Sequence, residues 1–339
     1  MRSITILFDM ERREKRQTIV LLNIRLVSVK ISRCRIGTMD TRNKIRQKGE
    51  SCLKKGINQW SFPEGMSIPD CIRLAKRAGF DGIELALAET GPLSLESGEK
   101  EIAQIRLAAE ADGIGISSLA CGLGWSYALT SESKPNRDKA IDIVKRQLEV
   151  AAALQADTIL VVPGSVGVDF IPGSDVTEYD VAYDNALEAL AGLASQAAAA
   201  QVSIGVENVW NKFLLSPLEM RNFIDTIGSS WVGAYLDVGN TLLTGYPEHW
   251  IKILNRRIKK VHFKDFRRSG AGLSAFVDLL AGDVDYPLVM RKLREIGYSD
   301  YVIAEMIPPY RHYPEQIIFN TSGAMDAILA GAREEGDAV

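Results

Sequence analysis

The feature that most constrains the fold is an alternation of short β-rich segments and amphipathic helical segments that sets in at Lys55. Eight such pairs follow one another along the chain. The β-rich segments, such as "DTILVVPG" and "VSIGVENVW", are continuous apolar runs. Continuous runs are expected where a strand is buried on both faces of a parallel sheet. The pattern therefore predicts an α/β protein with eight parallel strands, each followed by a helix.

Eight strand–helix units in about 280 residues fit a single-domain (β/α)8 TIM barrel formed by residues 55–339. An open doubly wound sheet usually carries a glycine-rich phosphate loop after its first strand, and "GINQWSFPEG" has no G-x-G-x-x-G pattern. We predict strands at Gly56–Trp60, Asp81–Leu87, Gly115–Gly122, Asp157–Gly164, Val202–Trp210, Val232–Asn240, Ile258–Phe266 and Tyr301–Met306. We predict a first helix capped by Ser67, with Pro69 in its first turn and Gly79 at its end. The other helices are predicted near Gly98–Asp112, Arg137–Leu154, Tyr179–Ala200, from Ser216–Pro217 onward, Glu248–Asn255, Tyr286–Ile296 and Ser322–Ala332.

Charge divides the chain into a basic N-terminal extension, residues 1–54, and an acidic body. Residues 1–55 carry 15 Lys and Arg against 5 Asp and Glu, whereas residues 56–339 carry 25 against 38. We expect the extension to be poorly ordered, or to be a start-site artefact with translation beginning at Met39. An interaction tail, a nucleic-acid arm and a transit peptide are the alternatives, and acidic residues with little serine argue against the last.

Composition argues against a membrane partner. The longest apolar run, "TIVLLNI" at Thr18–Ile24, is far shorter than the roughly 20 residues that cross a bilayer. The four cysteines show no C-x-x-C spacing, so neither a structural zinc site nor a disulfide framework is indicated, and a cytoplasmic location is the expectation.

Four consecutive predicted strands, the fifth to the eighth, each end in a side chain that can bind a metal ion. These are Glu207, Asp237, His262 and Glu305. In a (β/α)8 barrel the carboxyl ends of the strands converge on the face where active sites lie. Each residue alone has an ordinary explanation, such as a solvated strand end, a turn-forming aspartate or a buried core histidine. Together they predict a cation, because three carboxylates facing one pocket would repel one another.

The types of side chain indicate which metal this would be. Three carboxylates and one imidazole form a hard, mostly oxygen site suited to Mn²⁺ or Mg²⁺, with Co²⁺ as an alternative. Such a cation would polarise a ketone, acidify the neighbouring C–H and stabilise the enediolate formed when the proton leaves. Glu207 and Glu305 are the candidate acid–base pair. Proton return to the opposite face gives epimerisation, and transfer between carbons gives aldose–ketose isomerisation.

From about Gly56 onward, the chain resembles the xylose isomerase-like TIM-barrel superfamily of sugar isomerases and epimerases. Ketose 3-epimerases of that superfamily carry Glu, Asp, His and Glu as metal ligands on strands five to eight. The matches are Glu207 in "GVENVW", Asp237 in "YLDVGN", His262 in "VHFKDF" and Glu305 in "IAEM". The segments "DVGN", "VHFKD" and "LLAGDVDYPLVMRKLREIGYSDY" are most similar to the pentulose-5-phosphate 3-epimerase and hexulose-6-phosphate isomerase branch. The resemblance implies metal-dependent 3-epimerisation of a ketose phosphate.

Two departures from the epimerases of free ketohexoses argue against a free-sugar epimerase of that type. Asn240 stands three residues after Asp237, where those enzymes have histidine, and Phe213 stands where they have glutamate. Further substrate-binding candidates are Trp60, Glu84, Lys264, Asp265, Arg267 and Arg268. Lys264 and the two arginines would bind phosphate, or form no more than a basic rim. Asp265 would orient His262 or bind a substrate hydroxyl.

Several alternatives stay open on the same barrel. Hydroxypyruvate-type isomerases, other aldose–ketose isomerases and inosose dehydratases share similar metal positions. A DNA-repair endonuclease of this fold builds a histidine-rich cluster, and this chain has only His249, His262 and His312. The acidic body also argues against a nucleic-acid partner. A non-catalytic binding barrel would leave four intact ligands unexplained. The family resemblance implies a homo-oligomer, a dimer or a tetramer.

Overall fold

The computed structural model describes residues 53–334 except 271, 308 and 309. Among these residues, eight parallel strands follow in chain order: β1 (Lys54–Asn58), β2 (Gly82–Leu87), β3 (Gly115–Cys121), β4 (Thr158–Val161), β5 (Ser203–Glu207), β6 (Val232–Asp237), β7 (Ile258–Phe263) and β8 (Tyr301–Ala304). Each strand pairs with its neighbours in sequence, and β8 pairs with β1, so the sheet closes. The predicted (β/α)8 barrel is confirmed.

The helices of the described part of the chain cover the outside of the barrel in the same rhythm. They are α1 (Ile68–Ala78), α2 (Glu99–Asp112), α3 (Lys134–Leu154), α4 (Tyr179–Ala200), α5 (Pro217–Ile227), α6 (Pro247–Leu254), α7 (Tyr286–Glu295) and α8 (Gln316–Glu334). No helix within the described ranges is long and apolar enough to cross a membrane.

The first helix shows how local sequence sets an element. The Ser67 hydroxyl accepts a hydrogen bond from the backbone N–H of Asp70 at 3.2 Å, which satisfies one of the free donors at the helix start. Pro69 lies in the first turn, where its missing N–H costs no hydrogen bond. Gly79 ends the helix with a φ of 88°, a left-handed conformation that glycine adopts without strain. The predicted cap and stop of α1 are confirmed.

The seventh strand is shorter than predicted. It ends at Phe263, and Asp265–Phe266 instead form a short antiparallel pair with Phe276–Val277. The chain leaves the barrel at this point because the Asp265 carboxylate accepts backbone hydrogen bonds from the returning loop. The last helix is also longer than predicted, since it begins at Gln316 rather than near Ser322.

Two apolar regions hold the barrel together. The larger lies between the strands and the helices, and a smaller one fills the interior with Ala120, Leu160, Tyr235 and Ile303. At the amino-terminal end of the strands, the buried Lys260 ammonium forms an ion pair with Asp157 at 2.9 Å and a second with Asp300. The four residues predicted to bind a metal ion lie at the opposite, carboxyl-terminal end of the strands.

The basic extension predicted at residues 1–54 lies outside the described residues except for Leu53 and Lys54, and Lys54 is already the first residue of β1. The expectations of poor order and of a start at Met39 concern residues outside the described part. The described residues themselves belong to one compact unit.

Candidate metal centre

The structure brings Glu207, Asp237, His262 and Glu305 together at the carboxyl-terminal end of the barrel. One potential ligand atom from each residue lies within 4.8 Å of those of the other three, and all four residues are buried. Glu207 and Asp237 are the last residues of β5 and β6, His262 lies near the end of β7, and Glu305 directly follows β8. The predicted convergence is therefore observed, and metal binding by these residues stays a prediction.

An irregularity in the β6–β7 pairing sets the level at which the groups meet. The register shifts between Ala234 and Tyr235, after which Asp237 lies opposite His262. The backbone N–H of Glu305 donates to the carbonyl oxygen of Phe263 at 3.1 Å, which holds the end of β8 against β7. Rigid strand ends rather than flexible loops therefore position these groups.

His262 presents one particular ring nitrogen to the carboxylates. Its Nδ1 lies 3.7 Å from Oε1 of Glu207, 3.9 Å from Oδ2 of Asp237 and 3.9 Å from Oε2 of Glu305. Its Nε2 points away from them. The four groups thus surround one small volume.

Three atoms that border this volume are buried with incomplete hydrogen bonding. Within the described residues, His262 Nδ1 has no hydrogen-bond partner, and Asp237 Oδ2 and Glu305 Oε2 accept no well-formed hydrogen bond. Unpaired buried polar atoms are rare and costly. Carboxylate oxygens with one imidazole nitrogen are ligands that divalent cations such as Mn²⁺ and Zn²⁺ accept. The residues present therefore fit a divalent cation.

Burial also changes the acidity of the cluster. It raises the pKa of the Glu207 carboxyl to about 7, and the neighbouring Glu305 carboxylate adds to that rise. Burial also raises the pKa of the Asp237 carboxyl. For His262, burial alone would lower the pKa, but the carboxylates around it, led by Glu84, hold it well above its usual range. Ionising several carboxylates together here is thus unfavourable unless positive charge lies among them.

Lys264 brings one such charge into the cluster. Its ammonium group forms an ion pair with Glu305 and lies 3.4 Å from Oδ2 of Asp237. It also lies 4.7 Å from the centre of the Phe276 ring, a cation–π distance. Burial by itself would lower the pKa of Lys264, but the surrounding carboxylates outweigh burial and raise it. Lys264 is therefore buried beside the cluster, deeper than the basic rim that was one of the two positions predicted for it.

Glu84, predicted to bind substrate, lies behind His262. Its side chain is fully buried, and its Oε1 lies 2.7 Å from His262 Nε2, the nitrogen that faces away from the cluster. Both carboxylate oxygens already accept hydrogen bonds from other side chains of the barrel interior. A direct contact with substrate does not fit this placement, because no face of the carboxylate is open.

Asp265 also has a different place from either predicted role. It is fully buried, and its carboxylate accepts the backbone N–H groups of Phe266, Leu280, Gly282 and Val284 at 2.9–3.1 Å. With these four donors it shapes the loop after β7. The contacts of the described residues assign it neither to orienting His262 nor to binding a substrate hydroxyl.

Asn240 helps to aim Asp237. The backbone N–H of Asn240 donates to Oδ1 of Asp237 at 2.8 Å, which leaves Oδ2 directed at the cluster. The side chain of Asn240 donates to the carbonyl oxygen of Asn208 at 3.0 Å. Asn208 in turn bridges to the backbone of Asp237 with two hydrogen bonds of 2.9 Å. These contacts tie the ends of β5 and β6 together, and substrate binding by Asn240 stays a prediction.

The remaining predicted substrate residues lie around the mouth of the barrel. Trp60 is half-buried and packs against the interior apolar layer. Arg267 is exposed, and its Nε donates to the carbonyl oxygen of Ala281 at 3.0 Å. Arg268 is exposed as well, with its guanidinium 4.5 Å from the Tyr246 ring centre. Substrate binding by all three stays a prediction.

A mainly apolar cavity of about 460 Å³ lies between the loops that follow β4 to β7. Asn208 and Asn240 line it on the side of the cluster, and Trp210 and Phe213 form part of its walls. Lys212, the cation in its lining, is paired with Asp169 at 2.6 Å. The cavity is large enough for a small-molecule ligand.

Sequence reasoning missed three polar residues beneath the cluster. Asn58, Ser118 and Tyr235 lie on β1, β3 and β6, and all three are fully buried. Each interrupts an otherwise apolar strand, in "GINQW", "GISSLAC" and "VGAYLD". That interruption was a readable signal, but only the closed barrel shows that the three side chains meet at Glu84.

The fold and the cluster together define a (β/α)8 barrel protein with an acidic, histidine-containing candidate metal centre at the catalytic end of the strands. The family model described as xylose isomerase-like TIM barrel matches residues 72–321. The chain belongs to the xylose isomerase-like TIM barrel family.

Several of the proteins that this chain is similar to are named as sugar epimerases. The putative L-ribulose-5-phosphate 3-epimerase SgbU of Escherichia coli (strain K12) is 27% identical over 266 residues, which cover 74% of this chain and 87% of that protein. A solved L-ribulose 3-epimerase has a TM-score of 0.69 at 17% identity, covering 84% of this chain and 97% of that one. The IOLI protein, solved with a bound zinc atom, has a TM-score of 0.67 at 18% identity, covering 82% and 98%.

Proposed function

We propose that this chain is a divalent-metal-dependent isomerase that inverts the configuration at C3 of a ketose phosphate. The observation that carries the proposal is the buried meeting of three carboxylates and one imidazole, whose Nδ1 has no hydrogen-bond partner among the described residues. The names of similar proteins support the reaction class, since SgbU is named a putative L-ribulose-5-phosphate 3-epimerase.

The metal would be held by Glu207, Asp237, Glu305 and Nδ1 of His262. Mn²⁺ is the first candidate, with Mg²⁺ and Co²⁺ as alternatives, because the donors are mostly carboxylate oxygens. The zinc in the IOLI protein supports a divalent ion on this kind of barrel. When bound, such an ion polarises a ketone and makes the neighbouring C–H more acidic.

Glu207 and Glu305 would carry the proton transfer. They end strands that are separated by β6 and β7, so they reach the cluster from different directions. One ionised carboxylate takes the proton from C3, and the electron pair of the broken C–H bond moves into an enediolate spanning C2 and C3. The other carboxyl group, initially protonated, gives its proton to the opposite face of C3 as the C2 ketone re-forms. The two groups exchange protonation states, and the sugar keeps its composition.

Lys264 would hold the negatively charged part of the substrate. Its ammonium group already lies against Glu305 and Asp237, within reach of an oxygen placed at the cluster. Lys264, Arg267 and Arg268 are the candidate phosphate contacts, since all three follow β7 and barrel enzymes often bind phosphate in the loops after strands seven and eight. Trp60 would line the sugar from the barrel mouth.

The assembly and the location of the protein also belong to this proposal. The family resemblance supports a homo-oligomer, and the cysteine pattern supports the cytoplasm. Size-exclusion chromatography with light scattering measures the assembly, and a monomeric mass at micromolar concentration would contradict the oligomer.

Proton exchange with solvent tests the proposed reaction. The protein with Mn²⁺ is incubated in D₂O with ketopentoses and ketohexoses, each with and without a terminal phosphate. The metal is then removed and the sugars are read by NMR. We expect deuterium at C3 of a phosphorylated ketose, with at least about 10³-fold slower exchange in Glu207→Gln and Glu305→Gln. Glu188→Gln, the same change on the exposed face of α4, should exchange like the wild type.

Two outcomes would contradict the proposal. Deuterium at C1 together with an aldose product would make the protein an aldose–ketose isomerase. No exchange on any sugar, in a protein that binds Mn²⁺, would exclude both reactions and favour a dehydratase.

A further inference from the structure

Glu84 is an acidic side chain in the middle of the barrel interior. Glu84 lies on β2, on the far side of the interior from β6 and β7, and none of its surface is exposed. An ionised carboxylate in such a place is costly unless its oxygens are fully hydrogen-bonded. The hydrogen-bond donors around Glu84 therefore decide whether its carboxylate can be ionised there.

Side chains from four other strands point at this one carboxylate. Asn58 Nδ2 donates to Oε1 at 2.6 Å, and Ser118 Oγ donates to Oε2 at 2.6 Å. The Tyr235 hydroxyl also donates to Oε2. The fourth contact is the 2.7 Å approach of His262 Nε2 to Oε1. Three side-chain donors therefore already point at the two oxygens, which is the environment of a carboxylate that accepts rather than donates.

The fourth contact decides the protonation of the imidazole. An ionised carboxylate has no hydrogen to donate, so the nitrogen that faces Glu84 has to carry the proton. The proton on Nε2 leaves the lone pair of a neutral His262 on Nδ1. Nδ1 is the atom 3.7–3.9 Å from the three cluster carboxylates.

Two further features hold this arrangement in place. The β2–β3 register shifts between Ile83 and Glu84, so that Glu84 lies opposite Ser118 rather than Ser117. The Tyr235 ring packs edge-on against the imidazole, with ring centres 4.6 Å apart and planes at 64°. The first feature brings the Ser118 hydroxyl to the carboxylate, and the second fixes the plane of the imidazole.

We propose that Glu84 is a positioning residue that sets the metal affinity of the centre through His262, without touching metal or substrate. The inference rests on the proposed function in one respect, namely that the cluster binds a divalent ion. Hydrogen-bonded partners of metal-bound histidines typically contribute 10- to 100-fold to metal affinity, by fixing the tautomer and ring orientation and by raising ligand basicity.

Metal affinity of the full chain tests the inference. Isothermal titration with Mn²⁺ alone gives the dissociation constant of the wild type, of Glu84→Gln and of Tyr235→Phe. We expect binding to weaken by about 10- to 100-fold in Glu84→Gln and by a smaller factor in Tyr235→Phe. At saturating Mn²⁺ the turnover number of Glu84→Gln should return to within about threefold of the wild type, because Glu84 does not contact the substrate.

Tyr298→Phe is the matched control. The Tyr298 hydroxyl donates to the carbonyl oxygen of Tyr301 at 2.6 Å, at the other end of the barrel. The change removes the same atom as Tyr235→Phe, and it should lower unfolding stability without changing the Mn²⁺ dissociation constant. If Glu84→Gln does not fold, Tyr235→Phe and Ser118→Ala measure the same network.

The possible results separate the two proposals. A wild type that binds no Mn²⁺ overturns the proposed function. A wild type that binds Mn²⁺ alongside a folded Glu84→Gln variant of equal affinity overturns only this inference. Lower unfolding stability with unchanged affinity would make Glu84 a purely structural residue.

Discussion

At the scale of single residues, the buried ammonium group of Lys264 stands out because it lies among the carboxylates of the candidate metal centre. It follows the last residue of β7 and points back into the cluster, where it pairs with Glu305 and approaches Asp237. A lysine so placed competes with a metal ion for the same carboxylates and offers a cation to a substrate oxygen. These two effects predict opposite consequences for metal binding and for catalysis.

Replacing Lys264 with methionine separates the two effects. We expect Lys264→Met to slow C3 exchange by about 10²-fold, because the positive charge proposed to hold the negatively charged part of the substrate at the cluster is lost. Mn²⁺ affinity should stay unchanged or rise, because the competing cation is gone. Lys134→Met, an exposed lysine at the start of α3, is the control and should match the wild type in both. A Lys264→Met enzyme that keeps full activity would show that this ammonium group does not act on the substrate.

At the scale of elements, the loop after β7 is organised by one buried carboxylate. Asp265 accepts backbone N–H groups from Phe266, Leu280, Gly282 and Val284, and so pulls residues 280–284 against the end of the strand. Gly282 lies so close that a Cβ there would be 2.1 Å from Oδ1 of Asp265 and 2.7 Å from the backbone nitrogen of Phe266. The loop therefore depends on both an acceptor and a residue without a side chain.

Removing the acceptor should destabilise the protein. We expect Asp265→Ala to lower the free energy of unfolding by about 2–4 kcal/mol, because several backbone donors lose their partner. Urea denaturation of metal-free protein measures this. Asp283→Ala is the matched control in the same loop. Its carboxylate accepts one exposed backbone N–H, that of Arg268, so its removal should cost less than about 1 kcal/mol. Equal costs in the two variants would show that the Asp265 contacts do not hold the loop.

The sequence predicted the elements better than their ends. Helix α1 follows from a serine cap, a proline in the first turn and a terminal glycine. The end of β7 could not be read, because "VHFKDF" mixes polar residues with apolar ones up to Phe266, while Asp265 bonds to residues 15–19 positions away. The register shifts beside Glu84 and Tyr235 leave no trace in periodicity either. Those shifts decide which polar side chains share a level.

At the scale of the whole molecule, eight repeated units were sufficient to predict the barrel and the face on which the cluster forms. The ligand candidates were readable because each ends an apolar strand. Glu84 was predicted to bind substrate, but it lies within β2, and its direction was not readable, since an inward side chain belongs either to the open mouth or to the closed interior. The structure places it in the interior beneath the candidate metal centre, where it forms one network of contacts with Asn58, Ser118, Tyr235 and His262.

The most direct test of the account is anomalous X-ray diffraction at the manganese absorption edge, from crystals grown with Mn²⁺. We expect one strong peak inside the cluster, about 2.0–2.3 Å from carboxylate oxygens of Glu207, Asp237 and Glu305 and from Nδ1 of His262. Glu84 should remain hydrogen-bonded to Nε2. No peak at the cluster, or an ion bound elsewhere with the Lys264 ammonium still among the carboxylates, would contradict it.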